Sequence, residues 1–255
     1  MPEPFPALAC AGNALAHLRA HGRDAIRLGW PWYGGAVLVA VLTPPGAAGE
    51  IALRVATLLA ASVLGAAWSR HVLCGERTGG PARLDRAALK VLGWNLMLGV
   101  VAIVPPNAAM ALAPVSGAAG PFLVAALLLS ALWIATRLAL ALPLAACGAG
   151  IGAAARAWLV TARAGWRLPF GWLALLLVLF ALGFVALAVI GSIEGVFRSA
   201  GSDPDPRVAR AAGVVLQWAA VPALIGYAAF ALEALGAASR AGAAPAGVSA
   251  APGSR

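Results

Sequence analysis

Charge is scarce in this sequence. Asp, Glu, Lys and Arg make up 11% of its 255 residues, while 62% are hydrophobic and the mean hydropathy is +0.89. An ordinary soluble domain is about 25% charged and 45–50% apolar. A water-soluble fold has no way to cover this much apolar surface, so that class is excluded. Aromatic residues are also few, at 7%. With Ala, Leu, Val and Gly dominant, the composition argues against the alternating strands and aromatic girdles of an outer-membrane barrel and suits helices packed closely in lipid. Cysteine is limited to Cys10, Cys74 and Cys147, an odd and scattered set that excludes a full disulfide framework. No paired carboxylates fall inside the apolar stretches, so a proton relay or a two-carboxylate catalytic site lacks its parts.

What is present is a series of long apolar runs. A helix crossing an approximately 30 Å hydrocarbon core needs about 20 apolar residues. Six stretches meet that need, at 26–43, 51–68, 87–104, 122–142, 170–193 and 211–235. Pro44-Pro45 stops the first and Pro105-Pro106 the third, because proline lacks the backbone donor that continues a helix. Pro222 predicts a kink in the sixth. The expected fold is all-α, a polytopic transmembrane bundle of six spans in three hairpins. Residues 236–255, rich in Ala, Gly, Ser and Pro, read as a disordered cytoplasmic tail. Arg19, Arg23 and Arg27 interrupt any apolar h-region, so no cleavable signal is expected.

The net charge of +9 and pI of about 11.2 would suggest nucleic acid in a soluble protein. In a membrane protein, basic residues instead fix orientation, since short cytoplasmic loops collect Lys and Arg. With the N-terminus inside, the inner segments hold Arg19, Arg23, Arg27, then Arg70 through Lys90, then Arg156, Arg163 and Arg167, and finally Arg240 and Arg255. The outer loops hold only Arg198, Arg207 and Arg210. Both termini are therefore expected in the cytoplasm of a bacterial inner membrane, with all three cysteines reduced. Arg54 and Arg137 fall inside spans. Arg54 is expected to snorkel to the outer interface and pair with Glu50, and Arg137 to reach the cytoplasmic face.

The inner segments share a plan. Before the first span, Leu8, Leu15, Leu18 and Ile26 cluster on one helical face while Arg19, Arg23 and Arg27 recur at i, i+4, i+8. Before the fifth, Trp158, Leu159 and Trp166 share a face beside Arg156, Arg163 and Arg167. Both read as interfacial amphipathic helices. Each then enters lipid through a basic residue and a Gly-Trp pair: Arg27 with Gly29-Trp30, Arg167 with Gly171-Trp172. Lys90 with Gly93-Trp94 repeats the pattern. The six named arginines are candidate headgroup contacts, and anionic phospholipid is the expected partner, each contact being worth about 1 kcal/mol.

Three stretches carry a resemblance: Trp68-Ser-Arg70-His71-Val-Leu73-Cys74-Gly75-Glu76, Arg137 to Pro143, and Ala157-Trp158 through Thr161 to Trp166-Arg167-Leu168. These resemble segments of uncharacterised alphaproteobacterial six-helix inner-membrane proteins. More loosely, they are similar to the membrane domain attached to some glycerophosphodiester phosphodiesterases. The resemblance implies a helical fold and an inner-membrane location. Cys74 stands where an aliphatic residue is expected, and no phosphodiesterase catalytic residues accompany the match, so no activity is implied.

Catalytic and metal signatures are missing. His17 and His21 share a helix face at a spacing that can bind zinc, but no HExxH is present. They read as solvated side chains on the polar side of an interfacial helix. His71 and Cys74 form a second half-site, and a composite would need the two segments to meet. Among polar residues within spans, Asn95 and Gln217 are the candidates for a substrate path. Ala60, Ala61, Gly65, Gly183 and Gly191 read as small residues that let helices approach. The reading is therefore a non-enzymatic membrane protein, without cofactor or nucleic acid, that contacts anionic lipid or another membrane protein. The alternative is a small permease, or a permease subunit, for a neutral or amphipathic substrate.

Overall fold

The computed structural model describes residues 5–44, 46–76, 80–112, 120–149, 152–162, 164–199 and 205–242. All regular structure among them is helical: α1 Ala7–Leu42, α2 Ala47–Cys74, α3 Arg86–Leu112, α4 Gly120–Ala139, α5 Ala141–Ala146, α6 Ala153–Thr161, α7 Arg167–Ser199 and α8 Pro206–Gly242. Six apolar helical stretches are long enough to cross a membrane, with α4 and α5 together making the fourth. A multi-pass membrane protein is the architecture these helices fit. Large apolar side chains such as Leu38, Leu96, Val100, Phe122, Phe180 and Phe184 face outward along them, where lipid rather than protein would cover them.

Local chemistry sets the helix ends. Pro44 cannot continue α1, and the Thr43 hydroxyl donates to the Val39 carbonyl at 2.6 Å, closing the last turn. Gly75, with φ of 62°, ends α2 in the left-handed conformation that glycine adopts without strain. Asp85 caps α3 by accepting from the Ala88 N–H at 2.8 Å.

The helices depart from the sequence expectation in four places. The 7–25 segment is not a separate interfacial helix. It joins the first span in one 36-residue helix whose only non-helical residue is His21, at φ −113° and ψ 21°. Its small residues Cys10, Ala11 and Ala14 are buried against Leu168, Tyr227 and Ala228, while Leu8 and Ile26 of the apolar face expected from the sequence stay exposed. Second, α3 runs through Pro105-Pro106 to Leu112. Two carbonyls lose their backbone donors there, yet the helix continues, and the Asn107 side chain donates to the Ile103 carbonyl at 2.7 Å just beyond. Third, α8 continues to Gly242, so residues 236–242 are helical; the rest of the expected tail, 243–255, lies outside the described residues. Fourth, the fourth span breaks at Leu140 and resumes as α5.

Two packed centres hold the bundle. One surrounds Trp68, Tyr33, Leu64 and Val91, and the other Tyr227, Leu168, Leu175 and Cys10. α1 lies between α2, α7 and α8 and contributes to both centres. Tyr33 stacks on Trp218 with ring centroids 5.6 Å apart and planes within 2°. The buried Tyr227 hydroxyl donates to the Leu168 carbonyl at 2.9 Å, tying α8 to the first turn of α7. At the opposite end, Arg210 from α8 pairs with Glu50 at 3.2 Å and donates to the Thr43 carbonyl at 3.1 Å. Glu50 therefore answers Arg210 rather than Arg54, which is exposed and has no ion pair among the described residues. The helix packing brings Arg210 across from α8 with its guanidinium mostly enclosed, and that is the charge that most needs the carboxylate.

Candidate functional site

The 80–85 loop, the α4–α5 break, α6 and the N-terminal half of α1 gather at one end of the bundle, together with the described residues Arg19, Arg70, Arg137 and Arg156. Arg70, near the end of α2, organises its loop. Its Nη1 bonds the Asp85 carboxylate at 2.6 Å and its Nε faces Glu76 at 3.1 Å. Burial opposes ionisation of Asp85, but the Ala88 N–H and the Arg70 guanidinium outweigh it and hold the carboxyl below the usual range. A lowered folded value means that the stabilisation is in place above the unfolded value of about 3.9 and is lost as pH falls through the folded one. Asp85→Asn keeps a good helix cap while removing the charge. It is expected to melt below wild type at neutral pH, and the gap should close as pH drops below about 4, read by thermal unfolding of both proteins in detergent.

Beside this network, Cys74 and Cys147 bring their sulfurs to 3.3 Å, linking the ends of α2 and α5. Burial, and then Cys74 itself, pushes the Cys147 thiol up to about 12, so it stays protonated at neutral pH.

The most unusual charge at this end is Arg137. It lies one turn after Trp133 on α4, and α6 brings Trp158 to its other side. The guanidinium carbon sits 3.9 Å from the Trp133 ring centroid and 4.9 Å from that of Trp158, with the two indoles at 89° to each other. Arg137 is only 6% exposed. It makes no ion pair or hydrogen bond with any described residue, and its Nε is enclosed without a partner. The two indoles flank the guanidinium, and of its three nitrogens Nε alone is both fully enclosed and without a partner. Cation–π contacts contribute roughly 0.5–2 kcal/mol each, but they supply no counter-charge. A guanidinium so enclosed calls for an anion, and its planar set of donors matches a phosphate or carboxylate.

The six arginines read from the sequence divide. Arg19, Arg23 and Arg27 on α1, Arg156 on α6 and Arg167 at the start of α7 are exposed and have no ion pair among the described residues, so their charges face outward. Arg163 lies outside the described residues. Asn95 donates to the Ser62 hydroxyl at 3.0 Å, spending its amide on a helix–helix contact, while Gln217 is exposed on α8. No hydrogen bond joins Asn95 to Gln217, and nothing places them along a common path.

The histidines differ from their solvated reading. His17, His21 and His71 meet, with ring centroids 4.5 Å, 5.7 Å and 5.3 Å apart. The reason is that the α1 arm packs into the bundle and lies against the end of α2. Sequence reasoning also missed the pairing of Arg137 with two indoles. One signal was available, the i, i+4 spacing of Trp133 and Arg137, but Trp158 is distant in sequence and nothing announced its approach.

No family model matches the chain, and no curated protein or solved structure matches it.

Proposed function

We propose that this protein is an integral inner-membrane protein that binds the headgroup of anionic phospholipid at its basic, cytoplasm-facing end. Arg137 is the anchoring cation, and the exposed Arg156 and Arg167 on neighbouring elements are outer contacts, with Arg19, Arg23 and Arg27 meeting the same leaflet. The observation that carries the reading is a guanidinium between Trp133 and Trp158 with no anion among the described residues to answer it. A phosphodiester supplies that missing charge, and indoles are the side chains that settle at headgroup level. The reading assigns no reaction.

The test is native mass spectrometry of protein extracted into mild detergent and titrated with phosphatidylglycerol or phosphatidylcholine. Wild type is expected to retain the anionic lipid preferentially. Arg137→Gln should lower that retention about tenfold, the effect of removing one charge-assisted bond of about 1.5 kcal/mol. Arg54→Gln, at the opposite end, should leave it unchanged. Equal retention by wild type and Arg137→Gln would contradict the assignment.

A further inference from the structure

The chain has three histidines, and all three converge at one place. His17 and His21 are one turn apart on α1. His71 comes from the last turn of α2, and Asp24 stands one turn beyond His21. A ligand atom from each of His21, Asp24 and His71 lies within 4.8 Å of the others. The bend in α1 falls at His21 itself.

Simple packing leaves two details unexplained. The Nε2 of His17 is enclosed and has no hydrogen-bond partner, which buried polar atoms rarely tolerate. His71, by contrast, is pre-oriented: its Nδ1 lies 3.1 Å from the Glu76 carbonyl. With the proton on Nδ1, the lone pair of Nε2 is free for a ligand. A backbone carbonyl that fixes the tautomer and angle of an imidazole is the usual outer support of a metal-binding histidine. Glu76 is in turn held by Arg70 at 3.1 Å, which ties down the residue that supplies the carbonyl.

We infer that His21, His71 and Asp24 form a binding site for a divalent transition-metal ion of the zinc class, with the His17 ring packed beside them and water completing the coordination. Imidazoles with one carboxylate suit a borderline ion such as zinc, whereas calcium and magnesium prefer all-oxygen sites and copper(I) prefers sulfur. Zinc–nitrogen bonds of about 2.0–2.1 Å place tetrahedral ligand atoms about 3.3 Å apart. The present spacing of up to 4.8 Å therefore has to shorten by about 1.5 Å around the ion. The three histidines and Asp24 are partly exposed, which leaves an entry route. The site is independent of the lipid reading and shares no residue with it.

The experiment uses the full-length, untagged protein in detergent, stripped with chelator and then titrated with cobalt(II) and zinc(II). One cobalt per chain, with the visible absorption of a tetrahedral nitrogen–oxygen site that zinc abolishes, is the expected result. His71→Asn and Asp24→Asn are expected to weaken zinc binding by at least the 10–100-fold (order of magnitude) that loss of even an outer supporting group costs. Arg54→Gln, at the opposite end of the bundle and outside this network, should not. Should a variant fail to fold, the wild-type cobalt spectrum decides the question by itself. Absence of that spectrum, or zinc affinity unchanged in well-folded His71→Asn, would overturn the site.

Discussion

Trp68→Ala is expected to destabilise the bundle by about 3–5 kcal/mol, the range for removing a fully enclosed large aromatic side chain. Trp68 is 0% exposed and is the largest of the fully buried side chains. It packs among Leu64, Val91 and α1, with His17 edge-on at 5.5 Å. Lipid cannot reach the cavity that alanine would leave, so the lost contacts are not replaced. Trp30 provides the comparison: it is 57% exposed on α1, and its replacement exchanges protein surface for lipid contact at small cost. The difference is measurable by thermal or denaturant unfolding in one detergent, where comparable losses for the two tryptophans would contradict the packing described.

Gly171→Ala is the second large effect. A Cβ at this position would run into the Tyr227 hydroxyl and stand 2.9 Å from the carbonyl oxygen of Ala7. The Ala7 oxygen is backbone and the Tyr227 hydroxyl is fixed by its bond to Leu168, so neither yields without shifting α1 or α8. Overpacking of this kind costs about 1–3 kcal/mol, and loss of the buried hydroxyl's bond adds roughly 1 kcal/mol more. Gly183, twelve residues further along α7, has open space around it. Gly183→Ala should be neutral or stabilising by up to about 1 kcal/mol, as alanine's better helix propensity predicts. The pair can be read in the same unfolding assay, and the outcome that contradicts the account is equal stability of both variants.

These two sites mark where the sequence was and was not legible. The spans were readable because lipid imposes one demand, about 20 apolar residues, on every crossing helix, and six such helices are present. Which small residues sit at close contacts was only partly readable: Ala60 is buried in the first centre and Gly65 faces Ile225 and Val91. Gly183 and Gly191 were expected at helix contacts, yet each has open space around it, whereas Gly171 and Gly29 carry the tight approaches. Composition marks a residue as small without saying which neighbour comes near. The kinked α1 is a similar case. Its period of three to four apolar residues gave an interfacial face, but Leu8 and Ile26 of that face stay exposed, and a protein neighbour covers the small residues Cys10, Ala11 and Ala14 instead. Because α7 and α8 supplied that neighbour, the histidines of the arm came to rest beside His71. Arg137 was recognised as an unusual charge, but its depth alone gave a route to water, and the decisive Trp158 arrives through α6, a short helix set by tertiary packing.

The most direct test of the lipid assignment is an electron cryomicroscopy map of the protein in nanodiscs containing phosphatidylglycerol. The account predicts headgroup density whose phosphate oxygens stand about 2.7–2.9 Å from the Arg137 guanidinium, the spacing of a charge-assisted bond, with Trp133 and Trp158 still flanking it. An ordered Arg137 with no headgroup beside it, in a map that resolves lipid elsewhere on the bundle, would contradict it.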